Sequence, residues 1–460
     1  MSQSTANPQP NGSRPDDVAP AATGLGEPGS SSATGVRYAL LGMATVNAFL
    51  LYLDRICMTT VVHTPSFMHQ LGLGEKDVGN VLAAFFFAYA LGQLPGGWLA
   101  DRFGPRRMLV IYIVLWSTCT ALTGFATSLA LLIGLRLACG LSEAGAYPAS
   151  GRAITRWFPY GHRSRANALV GFGGRVGNAL APWLTVSVIA AFGSWRPVLW
   201  IYGGIGLALA AATHWIFRDD PTAHPWTNEA ERTLILASGP PLAKLRYDFP
   251  WRALLRHRGL WLQSLGGIGM NFGWAFLVTW LPRYMQQVRG LSEADANRYV
   301  TIMLACGMTG VLFGGWWCDT LTRWFGQRWG RRLPIFIGGL ASASLYLLCP
   351  LIGTASGVAV ACALVAFASD SCGPAIWSLS QDIGHNHVAA TMAWSNMWGN
   401  LGASAVAKCI PLALLSAHHF ADWREVFWMC SGGFFLLAIT ILFVDGTQHL
   451  PDEDRSVPAA

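Results

Sequence analysis

Long apolar windows dominate this sequence, and their length constrains the fold more than any other feature. Each window is close to the ~20 residues that an α-helix needs to cross a bilayer. They lie at about 38–62, 78–100, 108–127, 129–154, 166–192 and 197–217, and then at about 260–287, 298–321, 333–352, 355–380, 388–415 and 425–444. Lipid offers no partner for an open backbone group, so such windows fold as helices. The sequence predicts an all-α membrane protein with twelve transmembrane helices.

The charge distribution also indicates a membrane protein. Charged residues are 12% of the chain and hydrophobic residues 53%, whereas soluble proteins carry about 25% charged residues. A net charge of +7 can indicate a nucleic-acid partner, but most of the 31 Lys and Arg residues lie in the tails and in loops after even-numbered windows. This is the positive-inside bias. We therefore expect cytoplasmic termini, contact with the lipid bilayer and no nucleic-acid partner.

The first six windows and the last six contain matching residues in the same order. The matched strings are Gly96-Gly97-Trp98 with Gly314-Gly315-Trp316, Pro148-Ala149 with Pro374-Ala375, Gly177-Asn178 with Gly399-Asn400, and Trp195-Arg196 with Trp423-Arg424. Parallel repeats of this kind are typical of transporters whose halves are related by an axis along the membrane normal. We expect two six-helix bundles, at 37–217 and 260–445. A cytoplasmic loop at 218–259 would join them, between a disordered tail at 1–36 and a tail at 446–460.

Charged side chains inside the apolar windows are the main candidates for function. They are Asp54, Arg55, Arg136, Glu143, Arg175, Asp370 and Lys408. A charge near the bilayer centre costs at least ~2.5–3.5 kcal/mol, so each is expected to face a cavity or a partner. Arg55 is the best candidate for binding an anion, because a guanidinium matches a carboxylate with two donors.

The spacing of these charges predicts partners. Arg136 and Glu143 are two helical turns apart, on one face and about 10 Å apart along the axis. We expect Arg136 to pair with Asp54 and Glu143 to pair with Arg55. Asp370 and Lys408, in the second half, are expected to neutralise one another rather than to form a second substrate site. Arg175, in the first half, is a candidate for binding a second carboxylate or a phosphate.

Several strings together resemble the major facilitator superfamily and, within it, the anion:cation symporter branch. The strings are the segment Gly96 to Arg107 (GGWLADRFGPRR, called the signature loop below), Tyr52 to Arg55, Gly140 to Ala149, Arg156 to Pro159, Asp220 to Glu231, Trp280 to Tyr284 and Asn396 to Asn400. The branch includes bacterial importers of hexonates, hexuronates, glucarate and phthalate, and animal carriers of sialic acid and glutamate.

The resemblance implies a role for particular residues. Arg55 would bind substrate, Asp54 and Glu143 would carry protons, and Arg136 would belong to the network that links them. Other substrate-binding candidates are Tyr89, Gln93, Asn271, Trp377, Asn396 and Arg175. The signature loop would balance the outward-facing and inward-facing states, through Gly97, Asp101, Arg102, Gly104, Arg106, Arg107 and, in the second half, Asp319.

The predicted function is proton-coupled symport of a small organic anion, such as a sugar acid, by alternating access. We expect a monomer in the bacterial inner membrane with no cofactor or metal. An organophosphate:phosphate antiporter is one alternative, although the seventh window has no cation before Arg283. A non-transporting anion sensor is another, but the tail is too short for a signalling domain. An enzyme is disfavoured, because no catalytic set or phosphate loop has credible spacing.

Overall fold

A computed structural model describes residues 32–236, 249–416 and 423–451. These residues contain α-helices and no β-strand. The helices are α1 (Val36–Val62), α2 (Pro65–Leu71), α3 (Glu75–Phe103), α4 (Pro105–Thr123), α5 (Leu129–Glu143), α6 (Ala146–Trp157), α7 (Arg163–Phe192), α8 (Arg196–Ile216), α9 (Glu229–Leu236), α10 (Trp251–Arg256), α11 (Arg258–Thr279), α12 (Leu281–Gln287), α13 (Glu293–Leu348), α14 (Ala355–Gly384), α15 (Val388–Ser416) and α16 (Arg424–Ile441). The all-helical prediction is confirmed.

Helix boundaries differ from the predicted windows where two successive helices are joined without a loop. α13 is 56 residues long and consists of two helices that meet at Gly326, whose φ of 71° is left-handed. Glycine adopts this conformation without a steric penalty, so the chain turns there without a longer loop. Within the described residues, eight stretches are long and apolar enough to cross a membrane, and those at 293–351 and 355–414 are 59 and 60 residues long. Each of these two has about twice the length that one crossing needs.

The predicted tails lie mostly outside the described residues, as does the middle of the central loop. The described part of that loop is more ordered than its polar sequence indicated. Glu231 of α9 is fully buried and accepts hydrogen bonds from the Thr34 hydroxyl at 3.1 Å and the Arg37 backbone N–H at 3.2 Å, and also from the Gly35 N–H. An ion pair of 3.5 Å joins Glu231 to the Arg37 guanidinium. One carboxylate therefore fixes the loop to the start of α1.

Helices pack mainly within each half of the sequence. In the first half α1 packs on α7, α3 on α5, and α4 on α8; in the second half α11 packs on α15 and α16, and α13 on α14 and α16. Two buried apolar clusters lie almost wholly between residues 36 and 235, and a third lies between residues 253 and 450. Contacts of α7 with α13 and of α3 with α15 join the halves. The cavity described below is lined by these four helices and by α1, α6, α11 and α14.

Glycines permit the closest helix contacts, as small residues do in membrane proteins generally. At Gly433 of α16 a Cβ atom would lie 2.6 Å from the carbonyl oxygen of Gly269 on α11. The adjacent Gly432 faces open space, with no atom within 4 Å of the same position. The two positions therefore separate the effect of helix contact from the helix propensity of glycine.

We predict that Gly433→Ala destabilises the protein and that Gly432→Ala does not. Alanine raises helix propensity at both positions by roughly 1 kcal/mol. At position 433 the added methyl also forces α16 away from α11, and overpacking of this kind costs about 1–3 kcal/mol. Thermal unfolding of the purified variants should show a lower midpoint for Gly433→Ala than for Gly432→Ala. Equal midpoints would show that α11 and α16 are not in backbone contact.

Candidate functional site

A cavity of about 330 Å³ lies between helices of the two halves. This volume suits a small molecule. The first half contributes α1, α3, α6 and α7, and the second half contributes α11, α13, α14 and α15. Six of the predicted substrate-binding residues line it, namely Arg55, Tyr89, Arg175, Asn271, Trp377 and Asn396. The sequence therefore identified side chains that converge from six helices.

Gln93, the seventh predicted substrate-binding residue, does not line the cavity. Its side chain is fully buried, and its amide oxygen accepts a hydrogen bond of 2.9 Å from the Asn396 side chain. Asn396 also donates to the Tyr89 hydroxyl at 3.4 Å. Gln93 thus positions a cavity residue from behind. The spacing of one turn from Tyr89 correctly placed Gln93 on the side of α3 that faces Asn396. It did not show that Gln93 lies behind Asn396 and is not exposed to the cavity.

Arg55 on α1 forms the ion pair with Glu143 of α5 that the sequence predicted. Its Nη2 and Nε atoms donate to Glu143 Oε2 at 3.0 and 3.2 Å. The guanidinium also lies over the Tyr89 ring, with its Cζ atom 4.4 Å from the ring centroid. The Arg55 side chain is 12% exposed, whereas that of Glu143 is fully buried. Arg55 therefore faces the cavity and Glu143 lies behind it.

The expected ion pair between Asp54 and Arg136 is not formed. Asp54 Oδ2 instead accepts from the Trp116 indole N–H at 3.1 Å, and its other carboxylate oxygen has no hydrogen-bond partner among the described residues. Arg136 stacks over the Phe85 ring, with its Cζ atom 4.3 Å from the centroid. The helical spacing gave the correct faces, but the bulky side chains of Trp116 and Phe85 occupy the two partner positions.

The expected pair between Asp370 and Lys408 is also not formed. Asp370 of α14 accepts a hydrogen bond of 2.6 Å from Arg175 Nη2 of α7, and the Arg175 Cζ atom lies 4.6 Å from the Trp274 ring centroid. Lys408 is exposed. Arg175 and Asp370 belong to different halves, so their ion pair crosses the cavity. A single sequence cannot fix the relative rotation of two distant helices, and for that reason the partner was predicted wrongly.

Several cavity residues were missed by the sequence interpretation. They are Tyr52, Tyr147, Asn178, Gln263, Trp274 and Asn400. Tyr52, Tyr147 and Asn400 lie inside the strings that resemble the symporter branch, so a signal for them was present. The rings of Tyr147 and Trp377 lie 5.0 Å apart, which joins α6 to α14 across the cavity. Aromatic and amide groups thus surround the two arginines.

Asp101 of the signature loop caps the N-terminus of a helix in the other half. Its carboxylate accepts from the backbone N–H groups of Ala389 and Ala390 at 3.0 and 2.8 Å, in the first turn of α15. Arg152 donates to the same carboxylate at 2.7 Å and to the carbonyl of Asn386 at 2.7 Å. A carboxylate is favourable at the positive end of a helix dipole. Asp101 therefore joins α3, α6 and α15 at this end of the molecule.

Asp319 makes the equivalent contact in the opposite direction. It accepts from the backbone N–H groups of Ser164 and Arg165 at 3.1 and 2.9 Å, in the first turn of α7. Arg331 pairs with Asp319 at 3.3 Å and with Asp382 at 3.0 Å. Each half thus caps a helix of the other half, and both contacts join the halves at the signature-loop end.

The other predicted switch residues differ in whether they take part in contacts between the halves. A Cβ atom at Gly97 would lie 2.5 Å from the Ala389 carbonyl oxygen, so this glycine permits contact between α3 and α15. Gly104 has φ of 90°, and the next-but-one residue, Arg106, donates its backbone N–H to Asp219 at 2.7 Å. Arg102 and Arg107 are exposed. They stack on rings of their own half, Arg102 on Trp98 and Phe103 and Arg107 on Phe103.

Partners of the switch carboxylates were not identified from the sequence. Arg152 and Arg331 are fully buried, and Asp382 also accepts from the Tyr160 hydroxyl at 2.7 Å. Arg331 lies in a basic run at 326–332 that reads as a positive-inside loop. The composition of such a loop does not show which of its basic side chains is buried in an ion pair.

Comparison with known proteins identifies the family. Residues 44–407 match the sequence pattern of the Major Facilitator Superfamily. The chain belongs to this superfamily. It is 31% identical over 353 residues to the probable sulfoacetate transporter SauU of Cupriavidus necator, covering 75% of this chain and 80% of that protein. It is 31% identical over 395 residues to the probable galactarate/D-glucarate transporter GudP of Bacillus subtilis, covering 80% and 84%.

Solved structures agree on the fold. The Escherichia coli fucose:proton symporter FucP superposes with a TM-score of 0.67 at 14% identity, over 90% of this chain and 99% of that chain. The proton:xylose symporter XylE gives 0.66 at 17% identity, over 91% and 98%. The family match and the relatives named as transporters show a multi-pass integral membrane transporter and not an enzyme, as the sequence indicated.

We predict that Asp101→Asn opens the signature-loop end of the cavity. Asparagine keeps an acceptor oxygen but loses the charge that Arg152 and the N-terminus of α15 stabilise. Cys318 is a suitable reporter, because it is fully buried between the halves and accepts from the Ser164 hydroxyl at 3.2 Å. Alkylation of Cys318 by N-ethylmaleimide, followed by mass spectrometry, should accelerate about tenfold, in line with the loss of one charge-assisted hydrogen bond.

Asp295→Asn is the matched control, because Asp295 is exposed and bonds only within its own helix start, to Ser292. It should leave the alkylation of Cys318 unchanged. Normal transport and unchanged alkylation in Asp101→Asn would show that the signature loop sets topology and has no part in the switch.

Proposed function

We propose that this protein is a secondary active transporter that moves a small organic anion together with protons. The ion pair between Arg55 and Glu143 carries the proposal. Arg55 reaches the cavity while its partner is fully buried behind it. An anion that binds Arg55 from the cavity competes with Glu143 for the guanidinium donors. Substrate binding is thereby linked to the charge of a buried carboxyl group.

This link supports proton coupling. A carboxylate left buried without its cation loses several kcal/mol of stabilisation, whereas the neutral acid does not. When substrate takes Arg55, Glu143 is therefore expected to accept a proton. Asp54 is a second candidate, since it is 2% exposed and forms no ion pair among the described residues. Arg136 lies near both carboxyl groups and contributes a positive field.

Both the chemistry of the cavity and the named relatives support an organic acid as substrate. The relatives are described as transporters of sulfoacetate, galactarate or D-glucarate, and, in Escherichia coli, D-galactonate at 32% identity over 319 residues, covering 67% of this chain and 73% of that protein. The side-chain amides of Asn178, Asn271, Asn396 and Asn400 line the cavity beside its tyrosines. Amides donate and accept, so they suit the hydroxyl groups of a sugar acid.

The arrangement in the membrane is part of the same proposal. We infer twelve crossings, with α5 and α6 together forming the fourth and the two parts of α13 forming the eighth and ninth. The first bundle would be 37–217 and the second 260–445, with the tails and the loop at 218–259 in the cytoplasm of a bacterium. The signature-loop end would then be cytoplasmic, and the contacts of Asp101 and Asp319 would place the protein in a state closed on that side. A monomer suffices, because one chain supplies the whole cavity.

We predict that Arg55→Lys weakens substrate binding at least tenfold while the protein stays folded. Lysine keeps the positive charge but loses the planar pair of donors, and one charge-assisted hydrogen bond accounts for about tenfold in affinity. Isothermal titration calorimetry with sugar acids measures the loss. Arg298→Lys, at an exposed position, is the control and should bind as the native protein does. Native affinity in Arg55→Lys would remove Arg55 from the binding site.

We predict that Glu143→Gln abolishes proton-driven accumulation but keeps exchange. Glutamine imitates a permanently protonated acid, so the cavity still opens and closes but no proton is carried. In proteoliposomes with an acidic exterior, the accumulation ratio should fall to about one, while counterflow of labelled substrate continues. Glu229→Gln, at an exposed position in α9, should accumulate normally.

The same assay separates the other candidate functions. An antiporter would need internal phosphate, and a sensor would bind without accumulation. The antiporter has less support because no cation from the second half lines the cavity in the described residues. If the Glu143→Gln variant still concentrates substrate against a gradient, Glu143 is not the proton site.

A further inference from the structure

A second arginine in the cavity is more accessible than Arg55. The Arg175 side chain is 28% exposed, and its partner Asp370 is 5% exposed. Both line the cavity. Arg175 therefore presents its guanidinium to the cavity space even while one of its nitrogens is held by Asp370 at 2.6 Å. A guanidinium has five donors in a planar fork, so the remaining N–H groups are available to a ligand.

The two arginines lie on adjoining walls of the same cavity. The Arg55 Cζ atom is 5.1 Å from the Tyr52 ring centroid. The Tyr52 ring in turn fills the space beside Gly174, where a Cβ atom would come within 2.7 Å of it, and Arg175 is the next residue along α7. Tyr52 thus contacts the Arg55 guanidinium on α1 and packs against α7 next to the position of Arg175. Both arginines line one cavity of about 330 Å³, so a small molecule with an acidic group at each end would offer a partner to each.

Packing alone does not explain the pair of Arg175 and Asp370. It joins α7 of the first half to α14 of the second across the cavity, and the halves of an alternating-access transporter must change their relative position. An ion pair that is strong and permanent at this place opposes that movement. A partner that replaces Asp370 during the cycle removes the opposition. Gly307 faces the Asp370 carboxylate, and a Cβ atom there would lie 2.5 Å from Oδ2, so the carboxylate occupies a position that only a glycine at 307 permits.

We propose that Arg175 binds a second acidic group of the substrate, and that Asp370 is the internal competitor that occupies Arg175 when substrate is absent. The inference rests on the proposed function, because Arg55 must hold the first acidic group. The substrate class is then a small dianion, a dicarboxylate or a sulfonated carboxylic acid. A monoacid binds Arg55 and leaves the pair of Arg175 and Asp370 intact. A diacid takes both arginines and releases the link between α7 and α14.

The indole of Trp274 supports this role. The Arg175 guanidinium lies over the Trp274 ring at 4.6 Å, a cation–π contact with one face of its plane. Stacking on the face leaves the edges of the guanidinium for hydrogen bonds. The Trp274 side chain is also a hydrogen-bond partner of the Asp370 carboxylate. Trp274 therefore contacts both members of the pair, and Asp370 keeps this hydrogen-bond partner when a ligand takes Arg175.

The test compares pairs of acids that differ by one acidic group. The full-length protein in detergent is titrated calorimetrically with galactarate against galactonate, sulfoacetate against acetate, and phthalate against benzoate. At least one diacid should bind the native protein about tenfold or more tightly than its monoacid, which corresponds to one additional charge-assisted contact. Binding of neither member of any pair would overturn the proposed function and this inference together. Equal binding of diacid and monoacid would overturn the inference alone.

Two variants should change the affinity for the diacid in opposite directions. Asp370→Asn removes the competitor and should tighten diacid binding about threefold to tenfold, with the monoacid unchanged. The double variant Arg175→Gln with Asp370→Asn removes both charges, so no unpaired charge stays buried. It should bind the monoacid as the native protein does and lose the preference for the diacid. Lys408→Gln removes an exposed cation elsewhere and is the control for net charge, with both affinities unchanged. A diacid preference that survives in the double variant would overturn the proposal.

Discussion

The free energy of a charge in a medium of low polarity governs this structure. A buried charge is stabilised only by an opposite charge or by several hydrogen bonds. Among the described residues, Arg55 meets Glu143, Arg175 meets Asp370, and Arg152 meets Asp101, at N–O distances between 2.6 and 3.0 Å. The last two of these carboxylates are bound by elements of both halves. The same physical requirement therefore links α7 to α14 and α3 to both α6 and α15.

The contacts between the halves form two layers. The cavity layer contains the pair of Arg175 with Asp370 and the hydrogen bonds from Asn396 to Tyr89 and Gln93. The layer at the signature-loop end contains the helix caps of Asp101 and Asp319. A ligand changes the equilibrium between two states only through contacts that differ between them. The helices α3, α7, α14 and α15 carry contacts of both layers, so a ligand that alters the first layer acts on helices that also form the second.

The sequence was sufficient for features that depend on a single helix or on its immediate neighbour. Apolar windows located the long helices, and the two-turn spacing of Arg136 and Glu143 predicted the ion pair with Arg55. It was insufficient where distant helices meet. The choice of Arg175 rather than Lys408 for Asp370, and of Trp116 rather than Arg136 for Asp54, depends on helix rotations that only packing defines. The depth of Gln93 within the bundle belongs to the same class.

The helix caps at the signature-loop end have a consequence for tolerance to sequence change. Asp101 and Asp319 each accept from two backbone N–H groups, at residues 389–390 and 164–165. Every amino acid except proline supplies such a donor. Positions 389, 390, 164 and 165 are therefore free to vary in side chain as far as the caps are concerned, whereas the two carboxylates are not. Substitutions at the four donor positions can therefore accumulate without weakening the caps. Only one side chain in each half, Asp101 or Asp319, must be retained for its cap to persist.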